Sequence, residues 1–349
     1  MLPREEAIRI IKKYIPRYNL NNEEDIKKQL LRELIKNNLL IKTDDNTYTL
    51  PTYGELMHSK VGALTESIYK FAIPSKIKFK NKPKILDLCS GLTYNAVAAL
   101  HYNIESRIDL VEICEEVLFL SIFLDIPLKE HEIVKDKIRE YFLNKRGIEY
   151  TSSYNNITVN VVDAREFIKS KRLEYDVIFH DAFSPKRDPT LYTLNFLNNL
   201  YKSMKKNSVL LSYSSSIPFR AGLVESNFYI TEEKSIGRKR GITLAYKNYN
   251  EGRINLVDER VIALSINSIP YIGNEKEEII KNREKLKEKL KDKLIKMNKY
   301  ISTKRIKRGA IPEHILDIQK ENLNSTLIIK KIREYYFNES SILNILVEE

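Results

Sequence analysis

The sequence predicts an α/β fold in which helices alternate with the strands of a largely parallel sheet. From Lys84 onward, short apolar runs alternate with stretches of helical period, which is typical of βα units. Two later runs are suited to the antiparallel pair that closes many sheets of this kind. The strand candidates are Lys84–Leu88, Arg107–Val111, Ile157–Val161, Tyr175–His180 and Ser208–Tyr213, then Phe228–Glu233 and Ile242–Tyr246.

At 349 residues the chain can hold this core and two flanking regions. Residues 1–52 predict two helices, Arg4–Ile15 and Asn22–Lys36, and then a hairpin, an order shared with part of a winged helix. This segment is either a nucleic-acid contact or a packing cap. We expect the catalytic domain at 53–250 and a basic helical extension at 251–349, which is either an RNA-facing arm or a packing layer.

The charge balance favours polyanionic partners. Lys and Arg number 59 against 47 Asp and Glu, a net charge of +12, which suits RNA or acidic lipid head groups. A composition that is generally rich in Lys would give the same excess of positive charge without a polyanionic partner. Cys89 and Cys114 lack the spacing of a disulfide framework or a zinc site, so we expect reduced, buried thiols and no bound metal. No apolar stretch is long enough for a signal peptide or a membrane span, which leads us to expect a cytoplasmic protein without membrane contact.

The segment from Lys84 to Asn95, KILDLCSGLTYN, is the candidate cofactor loop. An apolar strand carries Asp87 near its end, a turn of small residues follows, and a helix begins at Asn95. In nucleotide-type α/β folds this turn lies at the carboxyl end of the first strand, where backbone N–H groups approach a ligand. Gly91 is the only one of the usual loop glycines, so an ordinary strand–turn–helix unit remains an alternative.

Two further strands end in carboxylates. Glu112 ends the second strand, where one carboxylate can accept both hydroxyl groups of a ribose. Asp163 follows the third strand, where it can reach the exocyclic amine of adenine. Helix capping gives the same sequence pattern in both cases, but the strand order favours contacts to one ligand.

The most informative stretch runs from Tyr175 to Pro189. A fully apolar strand delivers Asp181 to the carboxyl edge of the sheet, and an aromatic residue, a proline-bounded loop and two basic residues follow. A carboxylate in such surroundings is suited to orienting an amine nucleophile and accepting its proton. Asp181 is therefore the candidate catalytic residue.

Four segments resemble the MnmC-like tRNA methyltransferases. His180–Pro189 resembles the family's D-[GA]-F-[SA]-P-x-x-x-P signature, and Gly62–Ser67 resembles its G-x-[LG]-x-E-[SA] segment. Ser212–Phe228 resembles its R-x-G-L block, and Gly237–Arg240 resembles its late G-x-K-R element. Because all four occur in the family's order, coincidence is a poor explanation.

The resemblance implies a Rossmann-like class I S-adenosylmethionine methyltransferase core with helical N- and C-terminal extensions. It implies methyl transfer to the amine of 5-aminomethyl-(2-thio)uridine at the tRNA wobble position, with Asp181 orienting or receiving that amine. The implied cofactor-binding residues are Glu66, Asp87, Gly91, Thr93, Asn95, Glu112, Asp163, Ala164 and Asp181. The implied base- or RNA-facing residues are Phe183, Lys186, Tyr213, Arg220, Arg238, Lys239 and Arg240.

The sequence departs from the family pattern in its loop and in its domain content. Cys89 and Thr93 stand where the family usually has glycines, and Thr93 offers a hydroxyl group instead. The sequence has neither the length nor a GxGxxG loop for the flavin-dependent oxidase domain of the bacterial members. We therefore expect a stand-alone methyltransferase.

Two other classes of function are compatible with these residues. An aminopropyltransferase of the spermidine synthase type, or another small-amine N-methyltransferase, shares the sheet, the ribose carboxylate and an Asp after the fourth strand. A catalytically silent RNA-binding protein can retain the fold without binding a cofactor. The Phe-Ser-Pro continuation after Asp181 and the Arg220 block favour the tRNA methyltransferase, and the three carboxylates argue against a silent protein.

Overall fold

The computed structural model describes residues 2–234 and 241–346. These residues divide into two compact units. The first unit contains residues 2–167 and 175–183, and the second contains 168–174 and the described residues that follow 183. The boundaries near residues 52 and 250 that composition suggests stay predictions.

The described strands form a two-stranded hairpin and a seven-stranded sheet. The hairpin pairs β1 (Ile41–Lys42) with β2 (Tyr48–Thr49). The strands of the large sheet are β3 (Lys84–Leu88), β4 (Arg107–Glu112), β5 (Ile157–Val161), β6 (Tyr175–His180), β7 (Met204–Ser212), β8 (Tyr229–Glu233) and β9 (Ile242–Tyr246). Their order in the sheet is β5-β4-β3-β6-β7-β9-β8, which confirms the predicted α/β fold of Rossmann-like type.

Fourteen α-helices occur within the described residues. They are α1 (Glu5–Lys12), α2 (Glu23–Lys36), α3 (Ala63–Ser67), α4 (Tyr94–Tyr102), α5 (Glu115–Ser121), α6 (His131–Lys145), α7 (Ala164–Ile168), α8 (Leu194–Ser203), α9 (Ile217–Glu225), α10 (Leu256–Leu264), α11 (Lys276–Lys296), α12 (Thr303–Arg308), α13 (Glu313–Ile318) and α14 (Ser325–Phe337).

The first unit contains parallel strands in the order β5-β4-β3-β6. Leu88 of β3 lies level with Val111 of β4 and with His180 of β6, so these strands finish at one edge. Strands covered on both faces read as nearly continuous apolar runs, which is why the sequence predicts them well. The chain passes outward from β3 through β4 to β5 and returns to β6, which creates a switch point between β3 and β6 where ligands bind in folds of this type.

The N-terminal segment packs on the first unit. Helix α1 contacts α2 and α5. The Tyr18 ring stands edge-on to Phe119 and Phe123, at centroid distances of 5.3 and 6.0 Å. Arg139 of α6 also pairs with Glu23 at 2.6 Å. These contacts support the role of a packing cap, and nucleic-acid contact by this segment stays a prediction.

In the second unit, β9 pairs antiparallel with both β7 and β8. Helix α14 is anchored to this sheet at its first turn. The Thr326 hydroxyl group donates to the carbonyl of Phe228 at 2.8 Å and accepts from the N–H of Ile230 at 3.0 Å. The Asn324 amide donates to the carbonyl of Gly252 at 2.6 Å. The end of the chain is therefore a packing layer at α14, whereas an RNA-facing role of other C-terminal residues stays a prediction.

Strand β7 begins four residues earlier than the sequence predicts, at Met204 rather than Ser208. The polar residues 205–207 conceal this start, although Met204 itself is buried. No helix within the described ranges combines the length and the apolar character needed to cross a membrane. Within the same ranges, no group of three or more His, Cys, Asp and Glu side chains is arranged to hold a metal ion.

Candidate functional site

The loop between β3 and α4 has the tight turn that a ligand-binding loop requires. Cys89, Gly91 and Thr93 have φ angles of +60°, +51° and +67°. This backbone region destabilises a residue with a side chain by about 1–2 kcal/mol, so glycine is its usual occupant. Cys89 and Thr93 therefore adopt glycine-type backbone conformations at the two positions where the family pattern has glycines. Cys89 keeps partial exposure, so the expectation of buried thiols holds for Cys114 only.

Ser90 links this loop to strands β3 and β4 through hydrogen bonds. Its hydroxyl group donates to the carbonyl of Asp87 at 2.8 Å and accepts from the N–H of Val111 at 3.0 Å. The backbone N–H groups of Cys89 and Ser90 both donate to the carbonyl of Val111, at 2.9 and 3.2 Å. Sequence alone does not identify Ser90, because a single serine in a turn carries no distinctive signal.

Asp87 is a fully buried carboxyl group near the end of β3. Burial, and after it the negative charge of Asp181, raise the pKa of Asp87 to about 8. Asn95 lies near enough to lower this pKa slightly, yet neither oxygen of Asp87 accepts a hydrogen bond of good geometry from the described residues. Buried polar atoms are nearly always paired in native proteins. The unused oxygens of Asp87 therefore indicate a place for a ligand.

Asn95 connects the start of α4 to the candidate catalytic residue. Its side-chain amide donates to Oδ2 of Asp181 at 2.9 Å. The carbonyl oxygen of the same side chain is buried without a partner among the described residues, and so is the hydroxyl group of Thr93. Asp87 near the end of β3, Thr93 in the loop and Asn95 in the first turn of α4 thus carry buried hydrogen-bonding atoms that no described residue uses.

Glu112 ends β4 and is held by three backbone N–H groups. Gly91 donates to Oε2 at 3.0 Å, and Ile113 and Cys114 each donate to Oε1 at 2.9 Å. Burial raises the pKa of Glu112, and these donors oppose the rise. These hydrogen bonds account for part of the helix-capping role that the sequence pattern also allows for Glu112. Since an ionised carboxylate has about four acceptor sites, capacity for a further donor remains at Oε2.

Asp163 has the geometry of a helix N-cap. It accepts the backbone N–H of Arg165 at 2.8 Å and pairs with the Arg165 guanidinium group at 2.7 Å. Ala164 begins α7 and is buried. In the ligand-free chain Asp163 therefore caps helix α7, which is the alternative that the sequence pattern allows. The contact of Asp163 with adenine stays a proposal.

Glu66 lies in α3, ahead of the sheet. It accepts from the Lys70 ammonium group at 2.5 Å and from the Ser59 hydroxyl group at 2.6 Å. Burial would raise the pKa of Glu66, but the charge and hydrogen bond of Lys70 lower it overall. Glu66 is therefore an ionised, half-buried group, which sequence alone does not reveal.

Asp45 fixes the start of the same helix. Its carboxylate accepts hydrogen bonds from Thr43, Thr47 and Thr65, including the backbone N–H of Thr65 at 2.9 Å. Gly62 approaches it closely with a φ of +142°, and a Cβ atom there would lie 2.1 Å from the Asp45 carboxyl carbon. This contact gives a physical reason for the glycine that begins the Gly62–Ser67 motif.

The predicted base- and RNA-facing residues have diverse surroundings. In the first unit, Phe183 is half-buried. In the second unit, Tyr213 is half-buried and Lys186 is exposed. The predicted cations 238–240, which are Arg238, Lys239 and Arg240, lie outside the described residues.

Arg220 requires a correction. Its side chain is fully buried, and its guanidinium group pairs with Asp258 at 3.0 Å and Glu232 at 2.8 Å. Its Nε donates to the hydroxyl group of Thr243 at 2.9 Å. A guanidinium group enclosed in this way cannot reach an RNA phosphate, so Arg220 stabilises the second unit rather than contacting RNA.

The carboxyl edge of the first unit has an acidic character. The charges of Asp181 and Glu112 both raise the pKa of Asp87, so the three groups lie within electrostatic reach of one another. A site of this kind favours a cationic ligand and can orient an amine beside Asp181.

A family model described as an S-adenosyl-L-methionine-dependent methyltransferase matches residues 128–248. This range includes Asp163, Asp181 and Phe183 and begins after Glu112. An uncharacterized protein of Methanocaldococcus jannaschii is 61% identical over 98% of this chain and 98% of its own length.

Two named proteins are also similar. The tRNA 5-methylaminomethyl-2-thiouridine biosynthesis bifunctional protein MnmC of Campylobacter hominis is 23% identical over 54% of this chain. The match covers only 29% of that longer protein. The crystal structure of MnmC2 from Aquifex aeolicus superimposes with a TM-score of 0.58 and 29% identity, covering 77% of this chain and 99% of that one.

Proposed function

Because this chain belongs to the S-adenosylmethionine-dependent methyltransferase family that includes MnmC2 of Aquifex aeolicus, we propose that it methylates a tRNA nucleoside. The specific reaction proposed is methylation of the primary amine of 5-aminomethyl-(2-thio)uridine at the wobble position. The names of the MnmC relatives supply the product class. The observation that carries the chemistry is the Asn95–Asp181 hydrogen bond beside the carboxyl group of Asp87, whose oxygens accept no hydrogen bond from the described residues.

The residues of the β3–α4 loop fit S-adenosylmethionine. When bound, it supplies an electrophilic methyl group on a cationic sulfonium. Asp87, Thr93 and Asn95 have the unused buried atoms that its methionine part requires, and the backbone turn at Gly91 admits a close approach. A cation near Asp87 offsets the repulsion that raises the pKa of this group.

The nucleoside part of the cofactor is assigned to the ends of the next two strands. Glu112 retains acceptor capacity for a ribose hydroxyl group. Asp163 and Ala164 begin α7, where the carboxylate would accept from the adenine amine after exchanging part of its contact with Arg165. Glu66, already ionised by its pairing with Lys70, is assigned to the polar end of the cofactor.

Asp181 is assigned the work on the substrate amine. An amine attacks only through its free lone pair, so the enzyme must position it and keep it unprotonated. The Asn95 amide donates to the Asp181 carboxylate and orients it, and this carboxylate is assigned to position the amine and accept its proton. Phe183 follows Asp181 closely in the first unit and is assigned to stacking on the target base. In the second unit, base stacking by Tyr213 and a phosphate contact by Lys186 stay predictions from the sequence.

The test uses radiolabelled S-adenosylmethionine and tRNA from a strain blocked before methylation of the aminomethyl group. After digestion of the RNA, we expect label in 5-methylaminomethyl-(2-thio)uridine. Asp181→Asn should lower the rate by at least about 100-fold, in the range of general acid–base catalysis. Asp176→Asn is the matched control, because Asp176 lies at the opposite end of β6, where it accepts the N–H of Lys84.

Two outcomes would reject this function. Cofactor binding without label in RNA would contradict a tRNA substrate. Tighter binding of decarboxylated S-adenosylmethionine, with transfer of its aminopropyl group to a polyamine, would instead identify an aminopropyltransferase.

A further inference from the structure

Nearly all of the excess positive charge of the chain lies in one short stretch. Residues 281–308 contain 13 Lys and Arg against 3 Asp and Glu, a net charge of +10, whereas the whole chain carries +12. The rest of the chain is therefore close to neutral. A composition that is Lys-rich throughout would spread this excess, so the concentration favours a local function.

Helix α11 presents part of this charge as a row of exposed side chains. Lys281, Lys285 and Lys289 are exposed and follow one another at four-residue spacing, so they lie on one side of the helix. The opposite side buries Leu290 and Leu294. Like charges at this spacing repel, so the row does not serve to stabilise the helix.

Glu284, the acidic residue between Lys281 and Lys285, pairs with cations outside this row. Glu284 is engaged by Lys287 at 2.8 Å and by Arg283 at 3.6 Å. The first turn of α11 is acidic and its last turn basic, which suits the helix dipole. The dipole acts only over the terminal turns and does not account for a basic row along the middle of the helix.

Helix α12 adds a second group of cations after a connection of six residues. Lys304, Arg305, Lys307 and Arg308 are all exposed, while Ile306 between them is buried and fixes which side faces outward. None of the four has an ion-pair partner among the described residues. The basic surface is defined as two groups of exposed cations, the row Lys281, Lys285 and Lys289 on α11 and the group Lys304, Arg305, Lys307 and Arg308 on α12.

The same residues argue against a membrane partner. A helix that lies on a bilayer needs a continuous apolar face beside its basic one. The exposed apolar residues Ile280 and Ile295 of α11 are about four turns apart and form no such face. RNA, in contrast, requires only dispersed cations that can neutralise phosphates.

We propose that this basic surface binds the sugar–phosphate backbone of the tRNA substrate. The inference rests on the proposed function for the identity of the RNA. Contacts to phosphates position the RNA without reading its sequence, so the surface contributes affinity and orientation while the nucleoside is selected at the methyl-transfer site.

The experiment compares two variants of the full chain that each lose four exposed cations. One carries Lys304→Gln, Arg305→Gln, Lys307→Gln and Arg308→Gln. The matched control carries Lys78→Gln, Arg107→Gln, Lys129→Gln and Arg146→Gln, which are exposed in the first unit outside the N-terminal segment. Binding of unfractionated tRNA is titrated at several salt concentrations, and KM and kcat are measured with the hypomodified tRNA. Circular dichroism and cofactor binding verify that each variant is folded.

We expect the α12 variant to bind tRNA at least about tenfold more weakly, with the slope of log K against log salt reduced by about 2–4. KM for tRNA should rise by a similar factor with little change in kcat, and the control should stay within about twofold of wild type. Equal losses in both variants would overturn the proposal, because they would indicate a general charge effect. Binding to anionic lipid vesicles but not to tRNA would overturn it as well.

The two proposals fail in distinguishable ways. If wild type methylates tRNA and the α12 variant keeps its affinity and KM, the basic surface is wrong and the function stands. If wild type binds tRNA through α12 without methylating it, the surface stands and the reaction is wrong.

Discussion

The substitution Asp87→Asn should stabilise the ligand-free protein at neutral pH and have little effect in acid. Folded Asp87 keeps its proton up to about pH 8, whereas in the unfolded chain it ionises at its ordinary pKa of 3.8. Between these values the folded state binds one proton more than the unfolded state, so the free energy of unfolding falls as pH rises. This stability is complete below about pH 4 and is lost as pH rises through about 8. Asn has nearly the same shape and no proton to lose.

The magnitude follows from the pKa of this buried group. One pKa unit corresponds to about 1.4 kcal/mol, so the interval from 3.8 to pH 7 gives an upper bound of about 4 kcal/mol. Relaxation of the pocket and entry of water reduce burial penalties of this kind. We expect Asp87→Asn to raise the free energy of unfolding by about 2 kcal/mol at pH 7.5, and by about 0.5 kcal/mol or less at pH 4.5.

Urea unfolding at pH 4.5 and 7.5, followed by circular dichroism without cofactor, measures this difference. Asp45→Asn is a control for which we expect the opposite change in the free energy of unfolding. Burial would raise the pKa of Asp45, but hydrogen bonds from Thr47, Thr65 and Thr43 lower it overall. Its stabilisation is present above the unfolded pKa and is lost as pH falls, so this variant should be destabilised at pH 7.5. A pH-independent effect of Asp87→Asn, or a loss of stability at pH 7.5, would refute a protonated Asp87.

Three further substitutions test the site and its support. Glu112→Gln should weaken cofactor binding by about tenfold in calorimetry, because a neutral amide holds ribose hydroxyl groups less strongly; unchanged affinity would remove Glu112 from the site. Asn95→Ala should lower kcat by about tenfold through loss of the hydrogen bond that orients Asp181, and an unchanged kcat in single-turnover assays would contradict that role. Arg220→Met should cost about 3–5 kcal/mol of unfolding free energy, because it removes the buried guanidinium group that pairs with Asp258 and Glu232; a loss below about 1 kcal/mol in urea unfolding would contradict this assignment.

Sequence predicted the parallel strands of the first unit well. Strands β3 and β6 have their predicted bounds because both faces are covered, which leaves a largely apolar run between polar turns. The predicted site residues Asp87, Asn95 and Asp181 also lie together, since the carboxyl ends of these strands meet at one edge. Such features depend on local pattern and on topology, and both can be read from a sequence.

Features that depend on distant partners could not be predicted. Arg220 looked available for RNA because its counter-charges, Glu232 and Asp258, lie 12 and 38 residues further along the chain. The pairing of Glu66 with Lys70 was readable in principle from their helical spacing, but the burial of the pair was not. The conformation of Thr93 is a third case, because a threonine gives no sign that its backbone is left-handed.

Methylation of a synthetic anticodon stem–loop tests the central claim most directly. Two RNAs of identical sequence are compared, one with a single 5-aminomethyluridine at the wobble position and one with uridine there. We predict that labelled S-adenosylmethionine transfers its methyl group only to the first RNA, at the exocyclic amine, and that Asp181→Asn abolishes the transfer while Asp176→Asn does not. Equal labelling of both RNAs, or no labelling despite measurable cofactor binding, would contradict the assignment of this protein as a wobble-uridine amine methyltransferase.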